Sequence, residues 1–84
     1  MNKHFEDAKY YLGRAAETAK DGVKDELEPV RERFNEAVGR EDEPEPSRLE
    51  KVQQEIGDLE SKAEGEARRA LTSAKGRIEK YRGE

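Results

Sequence analysis

The sequence predicts an all-α fold: a kinked antiparallel two-helix hairpin that pairs with a second copy to form a four-helix bundle. Two observations predict it. Apolar residues recur every three or four positions along both halves of the chain, which is the period of a helix. They also stand at mirror-image positions about Glu43, so a chain folded back there sets apolar residues opposite one another. We therefore predict a single helical-hairpin domain over residues 1–84.

The first helix is predicted over residues 3–38. Asn2 is a suitable N-cap, because its side chain accepts hydrogen bonds from the first free amides, and Gly39 is typical of a helix end. The predicted core side of this helix consists of Phe5, Ala8, Leu12, Ala15, Ala19, Val23, Leu27, Val30, Phe34 and Ala37.

Two residues interrupt this helix. Gly22 lowers helix propensity by about 1 kcal/mol relative to alanine, and Pro29 removes a backbone donor. Because the apolar period continues through both, we expect a kink near 22–29. The alternative is a break near Asp21–Gly22 that would give three helices.

A turn over residues 39–46 separates this helix from a second one, predicted over 48–82. The turn is marked by two prolines and several acids, which oppose continued helix. Ser47 and Glu50 have the spacing of a capping box, in which each side chain accepts a hydrogen bond from the other residue's amide. The core side of the second helix is predicted to be Leu49, Val52, Ile56, Leu59, Ala63, Ala67, Leu71, Ala74, Ile78 and Tyr81.

Small residues gather at one level of this hairpin. They let helix backbones approach closely, so we expect a narrow waist there. Gly57 stands opposite Pro29 in the mirror pairing and is expected to accommodate the kink. The small residues are Ala15, Ala16, Ala19, Gly22, Ala63, Gly65, Ala67 and Ala70.

The composition makes an isolated hairpin a marginal fold. Only 31% of the residues are hydrophobic and 45% are charged, against about 45–50% and about 25% in typical domains. A coiled-coil hairpin also leaves one side of each apolar stripe open. A second hairpin would cover that side, so the predicted partner is a second copy in a homodimer.

Several function classes have no support in the residues. The chain has no cysteine, so no thiolate site or Cys/His pair is expected. His4 is its single histidine, and no Ser/His/Asp triad is recognised around it. We predict no enzyme activity, no cofactor and no metal site, with His4 solvated. No signal peptide or membrane span is recognised in the sequence. The absence of cysteine fits the reducing cytoplasm, where we expect this protein to be located.

Glu28, Glu32 and Glu36 lie on one helix face and are a candidate weak site for a divalent cation. They alternate with Arg31 and Arg33, so an ordinary solvated face of mixed charge is the preferred interpretation.

The charge distribution suggests a partner-binding surface. Residues 67–82 carry six bases against Glu79, while residues 40–50 are acidic, and the net charge of the whole chain is −4. The basic segment is a candidate for docking an anionic partner, although an acidic protein is a poor general nucleic-acid binder. Its bases are Arg68, Arg69, Lys75, Arg77, Lys80 and Arg82. The preferred alternative is that these bases complement the dipole at the C-terminus of the helix.

Tyr10 and Tyr11 lie beside the predicted seam. Tyrosine is common at protein interfaces, so the pair is a further candidate partner contact; the alternative is that it flanks the dimer core.

The sequence resembles a family of small proteins of unknown function from halophilic archaea. The resemblance extends over nearly the whole chain and rests on the segments MNKHFEDAKYYLGRAAETAK, ELEPVRERF, EPEPSRLEKV and KAEGEARRA. It implies a salt-rich cytoplasm, where surface charges are screened. It implies no activity and no site residue.

Taken together, the residues favour a non-enzymatic structural or protein–protein interaction module that self-associates. A small nucleic-acid-associated factor using the basic segment 67–82 is the alternative.

Overall fold

A computed structural model describes residues 3–39 and 45–83, and these residues form four helices. They are α1 (Lys3–Thr18), α2 (Asp21–Val38), α3 (Pro46–Lys62) and α4 (Gly65–Gly83). The all-α class is confirmed, but each predicted long helix is two helices. The described residues span 34 × 20 × 18 Å, well short of the roughly 52 Å of a 35-residue helix.

The first break falls at Ala19–Lys20. The Ala19 amide makes the last bond of α1, to the Ala15 carbonyl at 2.8 Å, and Lys20 is extended with φ −71° and ψ 159°. The prediction of one helix over 3–38 with a kink near 22–29 is therefore wrong. The alternative break near Asp21–Gly22 is closer to the observed position.

Pro29 does not break α2, which continues through it to Val38. Its ring lies on the exposed side of the helix. There water can hydrogen-bond the carbonyl that loses its amide donor, which limits the cost of the proline. Gly57 does not make room for Pro29 as predicted, because a Cβ built on Gly57 would meet only the Lys75 side chain, 4.0 Å away on α4.

The second break falls at Ala63–Glu64, inside the helix predicted over 48–82. Ala63 is extended, with φ −84° and ψ 160°, and its amide makes the last bond of α3 to the Leu59 carbonyl. Gly65 then opens α4 with φ +62°, the left-handed conformation that glycine adopts without a Cβ clash. The small residues of the predicted waist surround these two breaks.

The predicted caps differ from the observed ones. α3 begins two residues earlier than the capping box requires: Glu45 is the N-cap, Pro46 is the first helical residue and the Glu45 side chain makes no capping hydrogen bond. Ser47 lies within the first turn and is exposed. Gly39 does end α2, in an ordinary conformation with φ −79°. Asn2 and residues 40–44 of the turn lie outside the described residues.

The four helices form a ring in which each packs against its two neighbours, α1 on α2, α2 on α3, α3 on α4 and α4 on α1. Neighbouring helices are antiparallel. The Phe5 ring lies 4.3 Å from the Tyr81 ring on α4 and 6.0 Å from the Phe34 ring on α2, measured between centroids. The predicted mirror pairing survives as the α1–α4 and α2–α3 contacts.

The core is closed within one chain. Twenty hydrophobic residues are buried, and among the described residues no polar or charged side chain is buried. The homodimer was predicted because a two-helix hairpin leaves one side of its apolar stripes open. Folding each long helix in half covers that side, so this argument for a dimeric bundle no longer applies.

Candidate interaction surfaces

The outer side of α2 carries a row of acids that we call the acidic face. Its five residues are all exposed and recur every three or four positions, which places them on one side of the helix. Only Glu28 pairs with a cation among the described residues, namely Arg31 at 3.3 Å. The acidic face consists of Asp21, Asp25, Glu28, Glu32 and Glu36.

The arginines of α2 lie at the flanks of the acidic face, and Arg31 is close enough to pair with Glu28. Arg33 reaches sideways to Glu55 on α3, and Arg31 turns toward α1, where its guanidinium lies 3.8 Å from a Cβ built on Gly13. Glu26, also on the α3 side, accepts hydrogen bonds from the Lys62 ammonium at 3.2 and 3.3 Å. The Glu28–Arg31 pair agrees with the interpretation of this surface as a solvated face of mixed charge, while Glu32 and Glu36 make no ion pair with a described residue.

One end of the acidic face adjoins basic residues. Glu36 lines a shallow groove between α2 and α3 together with Arg33, Arg48, Lys51 and Val52. None of these cations comes within ion-pair distance of Glu36, since Arg33 bonds Glu55 and Arg48 lies 3.8 Å from Glu45.

Three of the six bases predicted as a docking segment are engaged inside the molecule. The Lys75 ammonium donates to Glu60 on α3 at 2.8 Å, Arg77 lies 3.5 Å from Asp7 on α1, and Arg82 donates to Gln53 at 2.6 Å. These side chains hold α4 against its neighbours, and so they are not available as a free basic patch.

The other three bases, Arg68, Arg69 and Lys80, are exposed and make no ion pair with a described residue. Arg69 and Lys80 share the outer side of α4 with Gly76, and we call these three residues the basic face. Nothing outside its own helix lies within 4 Å of a Cβ built on Gly76. Glu79, the residue before Lys80, is exposed and makes no ion pair with a described residue.

The ring arrangement places these two faces on opposite sides of the molecule. α2 and α4 occupy diagonal corners, because each contacts α1 and α3 but not the other. The acidic face and the basic face thus lie on opposite sides of the molecule. The acidic face is not free of bases, because exposed Lys24 follows Asp21 by three residues and precedes Glu28 by four.

Glu60 is the centre of a polar cluster between α3 and α4. The hydrogen bond from Lys75 and then that from the Thr72 hydroxyl hold the pKa of Glu60 below its ordinary value, with Arg68 adding a smaller electrostatic contribution. The side chain of Glu60 is only 19% exposed. Because both partners come from α4, the cluster stabilises the packing of α3 on α4.

Tyr10 and Tyr11 have different environments. Tyr10 is 64% exposed, whereas Tyr11 is partly buried against the core. The two rings contact edge to face with centroids 5.4 Å apart. Only Tyr10 is thus presented to a partner, and it is a single exposed ring rather than an apolar patch.

A second groove lies at the end of the bundle where the two short breaks meet. Its polar residues are tied together, since Lys20 lies 3.7 Å from Glu64 and Lys62 bonds Glu26. The groove is lined by Thr18, Ala19, Lys20, Val23, Lys62, Ala63, Glu64 and Ala67.

The described residues hold no group of three or more His, Cys, Asp or Glu side chains arranged to bind a metal ion. His4 is partly buried in the first turn of α1, rather than solvated as predicted. None of the four described helices combines the length and apolar character that a membrane crossing requires.

Comparison with known proteins bears on the whole chain. No curated protein and no solved structure matches it. The model of one protein family of unknown function, DUF7553, matches residues 1–84. The resemblance to an uncharacterised family is confirmed, while the halophilic source stays a prediction. The chain belongs to DUF7553, a family of unknown function.

Proposed function

We propose that this protein is a non-enzymatic interaction module that self-associates through the charged outer faces of its bundle. The observation that carries the proposal is the placement of the acidic face on α2 and the basic face on the diagonal helix α4. Among the described residues, the apolar side chains are in or against the core except Tyr10, so association must use polar surface.

The acidic face has a cost within the single molecule. Like charges three or four residues apart destabilise a helix by about 0.2–0.5 kcal/mol per pair. Glu36 adds an unfavourable interaction with the negative end of the helix dipole, and the last turn of α2 has no base to offset it. A binding surface is a reason to keep such a row, since a complex can neutralise the acids that Arg31 does not pair with.

Sedimentation velocity over a concentration series tests the proposal. We expect the mean mass to rise above that of the 9.6 kDa chain at low salt and high concentration, and to fall back as salt screens the charges. A chain that stays monomeric at every concentration and salt contradicts self-association.

The nucleic-acid alternative has less support. Lys75, Arg77 and Arg82 are engaged by α1 and α3, which leaves three outward bases on α4 opposite an acidic face. Strong phosphate binders make about 6–10 such contacts. We expect no binding of duplex DNA at about 150 mM salt; a complex that weakens in Arg69→Gln would favour this alternative.

A further inference from the structure

We propose that the acidic face of one copy docks on the basic face of another, so that the molecules associate head to tail. This inference rests on the proposed self-association and names its surfaces. It commits to a second copy of this chain as the occupant, because each copy carries both halves of the contact.

The first argument is charge complementarity between two faces that nothing in the same chain covers. Asp21, Asp25 and Glu32 make no ion pair with a described residue, and neither do Arg69 and Lys80. Because α2 and α4 lie on diagonal corners, the two faces of one chain cannot meet each other. Two copies can bring them together.

The second argument is spacing. Arg69 and Lys80 are 11 residues apart on one side of α4, a separation of roughly 16 Å along a helix. The same 11 residues separate Asp25 from Glu36 and also Asp21 from Glu32. Two helices laid side by side can therefore set both bases against two carboxylates at once, in either of two registers one turn apart.

The third argument is the shape of α4. Gly76 lies between Arg69 and Lys80, and no atom of a neighbouring helix fills the place where its side chain would be. Glycine in the middle of a helix costs about 1 kcal/mol relative to alanine, and the fold of this chain gives no steric reason for it. Its absent side chain lets an incoming helix approach to the close end of the 8–10 Å range of helix packing.

A contact between different faces is heterologous and does not close after two copies. The expected assembly is an open series in which mass keeps rising with concentration, in contrast to a symmetric dimer that stops at twice the chain mass. The surface of a single helix also falls below the roughly 1,200 Å² of a stable interface. Association is expected to be weak and reversible.

Charge reversal on each face provides the test, read by sedimentation velocity up to about 1 mM protein in about 20 mM salt. One variant reverses the acidic face (Asp25→Lys with Glu32→Lys), and another reverses the basic face (Arg69→Glu with Lys80→Glu). The first variant sets a lysine against a base in each register, and the second sets acids against acids, so we expect the dissociation constant of each alone to rise at least about tenfold. In an equimolar mixture, the intact basic face of the first variant meets the intact acidic face of the second, so mixed pairs should form about as tightly as wild-type pairs.

A matched control separates the effect of reversing the acidic face from the effect of changing the net charge. Glu50→Lys with Asp58→Lys, on the exposed side of α3, moves the formal net charge from −4 to 0 in the same way as the reversed acidic face. We expect this control to associate as strongly as the wild type. Circular dichroism of each variant checks that its helices are intact. If a reversed pair unfolds, the neutral variants Asp25→Asn with Glu32→Gln and Arg69→Gln with Lys80→Gln keep the test valid, and each is expected to weaken association.

The outcomes separate the inference from the proposed function. Wild-type association that neither reversal weakens, or that the mixture does not restore, overturns head-to-tail docking and leaves self-association in place. A wild-type chain that never exceeds monomer mass overturns both.

Crosslinking gives an independent reading, since the chain has no cysteine of its own. Glu28→Cys in one chain and Gly76→Cys in another place one thiol at the middle of each face. Random pairing of an equimolar mixture already makes about half of the product mixed disulfide, so head-to-tail docking predicts a mixed share well above about half. A mixed share of about half, as random collision gives, contradicts it.

Discussion

Two glycines of α4 show how one residue type has opposite effects at different positions. Gly65 has φ +62°, so Gly65→Ala forces a Cβ into the left-handed region and should cost about 1–2 kcal/mol of unfolding free energy. Gly76 is in ordinary helix with open space around it, so Gly76→Ala should add about 1 kcal/mol. Thermal denaturation of the two variants checks the pair; a gain in stability from Gly65→Ala would contradict the observed break.

Glu60 makes the stability of the bundle depend on pH. Its pKa is lowered in the folded state by the Lys75 and Thr72 hydrogen bonds, so its ionised form favours folding. That contribution is complete above the ordinary carboxyl pKa and is lost as pH falls through the lowered one. Glu60→Gln should therefore cost about 1 kcal/mol at neutral pH, and the difference from the wild type should shrink in acid.

Chemical denaturation at several pH values measures the Glu60 effect. Glu79→Gln is the matched control, because Glu79 is exposed and makes no ion pair with a described residue. We expect it to change the unfolding free energy by less than about 0.5 kcal/mol. A constant difference between Glu60→Gln and the wild type at all pH values would rule out the carboxylate as its source.

At the scale of elements, a substitution at the start of α3 tests whether Glu45, rather than Ser47, is the N-cap. The hydroxyl of an N-cap serine is worth about 1 kcal/mol, but Ser47 lies inside the first turn and Glu45 is the N-cap. Ser47→Ala should therefore change the unfolding free energy by less than about 0.5 kcal/mol. A loss of about 1 kcal/mol in urea denaturation would instead place the helix start at Ser47.

The spacing of apolar residues changes at the two breaks, although the average helical period does not reveal the change. Within each helix the apolar steps alternate between three and four residues, as in a heptad repeat. Around the breaks the steps become four, four and four, from Ala15 to Leu27 and again from Leu59 to Leu71. A continuous helix tolerates that change of phase, so the average period still predicts one helix. What decides for a break is the burial gained when the halves fold together.

At the scale of the whole molecule, the sequence predicted which apolar residues pair, but it did not predict toward which helix each charged side chain extends. Mirror pairs such as Phe5 with Tyr81 depend only on spacing, and they are in contact. Arg33 follows the acids closely in sequence but pairs with Glu55 on α3, while Arg31 lies against Gly13 of α1 and also pairs with Glu28. The acidic face becomes visible only when the positions of α1 and α3 are known.

The ring also divides the chain into two similar halves. The apolar positions of α1 and α2 recur 44 residues later in α3 and α4, and both halves are a pair of helices joined by two residues. Neither half encloses a core, because α1 packs on α4 and α2 packs on α3, across the halves. Each half therefore needs the other to bury its apolar side.

This division predicts that two fragments, cut within residues 40–44, fold only together. A separate helix pair leaves most of its apolar surface in water, and helices of 16–19 residues are marginal alone. Circular dichroism of an equimolar mixture should show clearly more helix than the mean of the separate fragments. A mixture that only averages the two signals would mean that one half carries its own core, against the ring of contacts that closes the bundle.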